Sequence, residues 1–167
     1  MNFKTYFPLA SISLADGRPP KSSEGKEESK GHQMNFSFQQ TRLKPTDHRP
    51  AIVFFFGGGW SGGDKKQFYQ QAKAMAEHGM LAFSADYRVK TRNKTTPFEC
   101  VQDGKSAIRW VREHAAELGV DPDRIVASGG SAGGHVAACT GVIEGDEEAG
   151  EQRTRPCRSR TPIVLLD

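Results

Sequence analysis

What this 167-residue chain has little of bounds its function first. It carries three cysteines, Cys100, Cys139 and Cys157, odd in number and far apart, with no C-x-x-C spacing. Neither a disulfide framework nor a zinc site is expected from them, so the thiols read as buried or inert and no metal site is expected. No apolar run approaches the roughly 20 residues of a membrane span, so none is expected. The net charge of +3 is too small to imply nucleic acid, and part of the basic excess is local, in Arg153, Arg155, Arg158 and Arg160. That tract reads as a solvated loop. Histidine is scarce as well, at five residues, and only His135 lies beyond residue 114.

What is present suits one globular domain: 36% apolar and 26% charged residues at a length able to bury a core. At the N-terminus Lys4, a weakly apolar stretch and Ser13-x-Ala15 loosely imitate a secretion signal. Pro8 and the interspersed serines make its apolar part poor, so a cytoplasmic location is expected over secretion. Residues 16–33 are rich in Gly, Pro, Ser, Lys and Glu. Residues 1–33 therefore read as a flexible N-terminal arm and 34–167 as the domain.

Within that domain strands and helices alternate. "MNFSF" (34–38) alternates apolar and polar residues as a half-buried strand does, whereas "AIVFFF" (51–56) is the continuous apolar run of a strand buried on both faces. Asp64 can cap a helix whose inner face is Phe68, Ala72, Met75 and Ala76, and Gly79 can end it. "MLAFSA" (80–85) is the next strand. Thr96-Pro97-Phe98-Glu99 is a capping box with proline at the first helical position. The helix after it buries Val101, Ile108, Val111, Ala115 and Leu118 and stops at Gly119. "DPDR" reads as a turn, "RIVAS" (124–128) as a strand, 131–141 as a small-residue helix and "PIVLL" (162–166) as a last strand. This order argues an α/β fold with a mainly parallel sheet.

Two glycine-rich stretches lie at strand ends. Gly129-Gly130-Ser131-Ala132-Gly133 fits G-x-S-x-G between a strand and a helix, the context that motif requires. A tight turn there lifts the serine hydroxyl clear of the sheet, and the helix N-terminus turns N–H groups toward a developing oxyanion. Gly57-Gly58-Gly59 also follows a buried strand. Its glycines can offer backbone N–H groups to an ester carbonyl oxygen. A rival reading takes Gly57, Gly59 and Gly62 as the G-x-G-x-x-G of a dinucleotide site, with Asp86 as the ribose-binding acid. Against it, the following helix begins only after the motif, and bulky Trp60 stands where a pyrophosphate would approach.

Together "PAIVFFFGGGW", "LAFSADYRV" and "DGKSAIRWVREHAAELGVDPDRIVASGGSAGGHVAA" resemble the α/β-hydrolase superfamily. The nearer likeness is its esterase/lipase-like branch, with hormone-sensitive-lipase-like enzymes, acetylesterases and feruloyl or xylan esterases. The resemblance covers roughly residues 49–141. It implies a three-layer α/β/α fold and a carboxylic-ester hydrolase of small-molecule esters that needs no cofactor. It implies Ser131 as nucleophile, the N–H groups of Gly58, Gly59 and Ala132 as oxyanion hole, and Trp60 as a residue lining the substrate cleft. The family often has histidine just before the three glycines, where this chain has Phe56, a side chain that cannot hydrogen-bond to hold the loop.

The superfamily's triad runs serine, acid, histidine. His135 rides the same helix as Ser131 and cannot swing round to take its proton. His32, His48, His78 and His114 precede the serine; His78 and His114 fall near helix ends, where a cation suits the dipole. Asp86 and Asp103 read as fixing loops and helices, and Asp167 is a weak candidate acid. The units carrying acid and histidine are therefore expected to be missing, the fold incomplete at the C-terminus, and the chain inactive or weakly active. The alternatives are a non-catalytic hydrolase-like fragment or binding protein, and the dinucleotide-binding reading.

Overall fold

Alternating local patterns become one six-stranded sheet in the computed structural model, which describes residues 10–14, 34–39, 47–143 and 163–166. The elements are β1 (Ala10–Leu14), β2 (Met34–Gln39), β3 (Arg49–Phe55), a 3-10 turn (Lys65–Phe68) leading into α1 (Tyr69–Glu77), β4 (Leu81–Asp86), α2 (Lys90–Asn93), α3 (Pro97–Glu113), α4 (Ala115–Leu118), β5 (Val120–Gly130), α5 (Ala132–Val142) and β6 (Ile163–Leu166). Strand order is β1-β2-β4-β3-β5-β6. β1 and β2 are antiparallel, β2 runs antiparallel to β4, and β4, β3, β5 and β6 are parallel. The parallel strands β3 and β4 are buried almost throughout, as continuous apolar runs require.

Successive strand residues face opposite sides of a sheet, and two phenylalanines of β3 show what covers each side. Phe54 stacks on Phe68, at the entry to α1, with centroids 5.4 Å apart. A Cβ built on Gly104 of α3 would meet Phe55 at 3.7 Å and Val136 of α5 at 2.5 Å. So α1 covers one face, and α3 with α5 covers the other. This is a three-layer α/β/α sandwich whose core lies around Phe54, Phe55, Phe83, Ile108 and Ile125.

Local signals set most boundaries. The Asp64 carboxylate accepts from Lys66 N–H at 2.8 Å at the start of the 3-10 turn. The Glu99 carboxylate reaches back to Thr96 N–H at 2.8 Å and holds the start of α3. His78 and His114 each cap a helix C-terminus, with Nδ1 2.8 Å from Ala74 O and 2.9 Å from Trp110 O. Gly119, at φ 70°, turns the chain into β5.

Four features depart from the sequence pattern. Ala10–Leu14, inside the stretch read as an arm, pairs with β2, because strand pairing is a non-local contact that polar composition does not reveal. "DPDR" is a bulge inside one long strand and does not end it. The register jumps from Arg49↔Val120 to Ala51↔Ile125, and Asp123 N–H folds back onto the Asp121 carboxylate at 3.0 Å. The helix expected to run to Leu118 breaks at His114. The short helix α2 carries no apolar periodicity and was not expected. The remainder of the arm, the acidic and arginine-rich tract at 144–161, Cys157, His32 and Asp167 lie outside the described residues.

Candidate active site

The site is built where β5 hands over to α5. Ser131 stands at this junction with φ 53° and ψ −121°, a left-handed conformation costly for a side chain with Cβ. It is exposed, while Gly129, Ala132, Gly133 and Gly134 around it are buried. Small residues are required because backbone meets backbone. A Cβ on Gly133 would lie 2.0 Å from Phe55 O, and one on Gly129 2.5 Å from the same oxygen. α5 is thereby pressed onto the end of β3, with its N-terminus beside the serine.

The glycine loop arrives at the same point from β3. A Cβ on Gly57 would sit 3.4 Å from Ser131 Cβ and 2.9 Å from Gly130 O, so the two glycine-rich turns abut. Gly57 N–H is occupied: it donates to Gln67 Oε1 at 2.6 Å. Among the described residues the Gly58 and Gly59 N–H groups have no acceptor. Gly58, Gly59 and Trp60 all have positive φ, at 144°, 58° and 56°. No helix begins within the glycines; the 3-10 turn starts at Lys65. The close helix–strand packing of a dinucleotide fingerprint is thus made at Gly133, in the serine turn.

Phe56 does not leave the loop unheld. Its ring stacks on Tyr87 at 4.1 Å and 10°, lies against the Gly63 backbone, and has the Arg92 guanidinium 5.7 Å from its centroid. Its carbonyl oxygen accepts the Tyr87 hydroxyl at 2.5 Å. Burial pushes the Tyr87 phenol well above its ordinary range, so it stays protonated and donating. Farther along the loop, Trp60 O accepts Lys90 N–H at 2.9 Å, and Ser61 O accepts Thr91 N–H at 3.1 Å and the Thr91 hydroxyl at 2.5 Å. The 86–93 segment making these bonds is itself anchored. Arg92 pairs with Asp86 at 2.9 Å, and Arg88 makes a two-pronged pair with buried Asp103, at 2.7 and 3.0 Å. Asp103 also takes Arg88 N–H at 2.8 Å.

Gln67, Tyr87, Lys90 and Thr91 were not singled out as site residues in the sequence. For Tyr87 the available signal is its place in the "ADYRV" string; Gln67, Lys90 and Thr91 carry none. Trp60 is half-buried, its ring set edge-on to His135 at 5.3 Å, and its buried indole N–H has no partner among the described residues. His135 is held away from Ser131 Oγ by the helix they share: its N–H donates to Ser131 O at 3.1 Å, and its Nε2 lies 3.6 Å from Cys139 Sγ. Cys100 and Cys139 are buried free thiols; burial raises both, Cys100 to about 11. Among the described residues no cluster of His, Cys, Asp or Glu could hold a metal ion, and no helix is long and apolar enough to cross a membrane.

Residues 40–162, more than half of the chain, match the BD-FAE family. The chain belongs to the BD-FAE family. This is a group of α/β-hydrolase esterases, and the parallel sheet with helices described above is part of that fold. As a BD-FAE chain it is 38% identical over 102 residues to carboxylesterase NlhH of Mycobacterium tuberculosis, covering 60% of this chain and 31% of that protein. It is 37% identical over 106 residues to a probable isoprenylcysteine alpha-carbonyl methylesterase of Arabidopsis thaliana, covering 64% and 22%. Among solved structures, Thermogutta terrifontis esterase 2 phosphorylated by paraoxon is 47% identical, with a TM-score of 0.75 over 83% of this chain and 54% of that one. The same esterase modified by tabun gives 0.78 at 40% identity, over 99% and 58%. This BD-FAE chain therefore spans less than two thirds of the length of these relatives.

Proposed function

We propose that this chain provides the nucleophile and oxyanion site of a carboxylic-ester hydrolase acting on small-molecule esters. Ser131 Oγ attacks the ester carbonyl carbon. The oxygen that becomes negative is received by the N–H groups of Gly58, Gly59 and Ala132, each such donor being worth about 3 kcal/mol in the transition state. Collapse expels the alcohol and leaves an acyl-serine, which water hydrolyses. Trp60 lines the cleft beside the serine. The reading is carried by one observation: Ser131 sits in a left-handed turn at the head of α5 with the glycine loop packed against it.

Among the described residues no histidine hydrogen-bonds the Ser131 hydroxyl. Loss of a triad histidine costs on the order of 10⁶ in turnover and leaves roughly 10³ over water. Covalent capture is therefore the sharper test than turnover. The purified chain is incubated with paraoxon or a fluorophosphonate and digested, and the peptide carrying residue 131 is weighed, alongside hydrolysis of a short-chain aryl ester. Slow phosphorylation at Ser131 on long incubation, abolished in Ser131→Ala, is expected, with slow ester turnover, since both steps need the same proton removed. Capture without turnover favours a hydrolase-like chain that needs groups from elsewhere. Absence of any adduct at Ser131, or labelling of the same peptide that persists in Ser131→Ala, overturns the proposal.

A further inference from the structure

The glycine loop closes on itself through Gly58 O, which accepts Ser61 N–H and Gly62 N–H at 3.1 Å, and through the Ser61 hydroxyl on Gly59 O at 3.2 Å. Gly59 and Gly62 have no atom near where a Cβ would be, and Phe56 offers no polar side-chain atom. The loop's placement against the serine turn is set from outside, by Gln67 on the Gly57 N–H and chiefly by residues 86–93. Three loop carbonyls, those of Phe56, Trp60 and Ser61, are tied down by this segment through Tyr87 Oη, Lys90 N–H and Thr91. The same segment is fastened to α3 by the Arg88–Asp103 pair and by the Cys100 thiol on Arg88 O at 3.1 Å. Of these three bonds, that of Tyr87 lies nearest the proposed donors. Together with Gln67 on the Gly57 N–H, it fixes the orientation of the Phe56–Gly57 peptide, next to the one that carries the Gly58 N–H.

We propose that Tyr87 is a positioning residue, whose hydroxyl on Phe56 O aims the Gly58 and Gly59 N–H groups at the oxygen that becomes charged on Ser131. This rests on the reading of Ser131 as nucleophile, and it gives a reason why a chain with phenylalanine at position 56 can still present an ordered donor pair. The ring of Tyr87 supplies packing and the hydroxyl supplies aim, and Tyr87→Phe separates the two because it keeps the stack on Phe56.

Two measurements on the full chain decide it. In the first, the rate of organophosphate capture at Ser131 is resolved into initial affinity and the covalent step. Tyr87→Phe is expected to slow the covalent step about tenfold, a part of the 10²–10³ lost when a donor is removed outright, while initial affinity stays unchanged. Ile108→Val, a distant core change of modest cost, serves as control and is expected to leave both unchanged. In the second, amide exchange and ¹⁵N–¹H shifts are recorded without any substrate. In Tyr87→Phe, Gly58 and Gly59 are expected to shift and exchange faster, while Gly79 and Gly119 do not.

Unchanged capture together with unchanged Gly58 and Gly59 amides overturns the inference. So does a loss spread equally over control glycines, or a fall in affinity with the covalent step intact. If the parent chain is not captured at all, the nucleophile reading fails. The amide measurement then still decides whether Tyr87 sets the loop.

Discussion

The serine turn and the glycine loop are both glycine-rich, both follow a buried strand, and they touch. They are nevertheless held by different physics. In the serine turn, glycine is demanded by contact: the missing Cβ atoms of Gly129 and Gly133 would lie 2.0–2.6 Å from backbone atoms of neighbouring elements. In the loop, Gly58 and Gly63 are demanded by contacts within the loop itself, at 2.3 and 2.4 Å, whereas Gly59 and Gly62 face open space, and hydrogen bonds from residues distant in sequence fix where the loop sits. One turn is fixed by what cannot fit between elements, and the other is placed by what reaches across to it.

The largest expected effect breaks the first half of that contrast. Gly133→Ala forces a methyl against Phe55 O and Phe56 O, rigid backbone at 2.0 and 2.5 Å. A loss above about 4 kcal/mol is expected, read as failure to fold or a collapse of the denaturation midpoint. A small change there would show that α5 can slide on β3, and that contact does not shape the turn.

Next comes the anchor of the loop. Asp103 is 3% exposed and Arg88 13% exposed in their ion pair. Asp103→Ala removes the carboxylate from a mostly buried guanidinium that retains some access to water, and is expected to cost roughly 2–4 kcal/mol in chemical denaturation. Where the variant still folds, amide exchange should rise in residues 86–93 and 57–63 before it rises in α5. Uniform loosening would mean that the pair serves the core at large.

The smallest effects lie within the loop itself. Gly59 has φ 58° with free space around it, so Gly59→Ala is strained by backbone alone, about 1–2 kcal/mol. Gly62 has neither positive φ nor a neighbour, and Gly62→Ala is expected to stay within about 0.5 kcal/mol. Melting temperatures of the two variants side by side test this. Equal losses would mean that the loop is packed more tightly than its bonding pattern indicates.

The serine turn was the more legible of the two in the sequence. Its flanking apolar run, its string of small residues and the helix after it are local signals, and sterics bind them to one geometry. The capping box at Thr96–Glu99, the stop at Gly119 and the buried stripe of α3 were readable for the same reason. What escaped notice depended on distant partners. β1 exists through its pairing with β2, α2 is four residues without periodicity, and the Asp121–Arg124 turn lies inside a strand because parallel pairing with β3 resumes beyond it. Phe56 read as a weakness of the loop, since nothing nearby in sequence shows that Tyr87, 31 residues on, bonds its carbonyl and stacks on its ring.

The amino-acid order by itself determined the α/β alternation, the position of Ser131 between strand and helix, and the need for glycine around it. These follow from periodicity, capping and excluded volume acting over a few residues. Tertiary structure alone decided that the two glycine turns meet, that Gln67 takes the Gly57 N–H and leaves those of Gly58 and Gly59 open, and that Tyr87 and the Arg88–Asp103 pair hold the loop in place. Hydrogen bonds and ion pairs between distant residues depend on where the folded sheet brings their elements, and no local pattern encodes that placement.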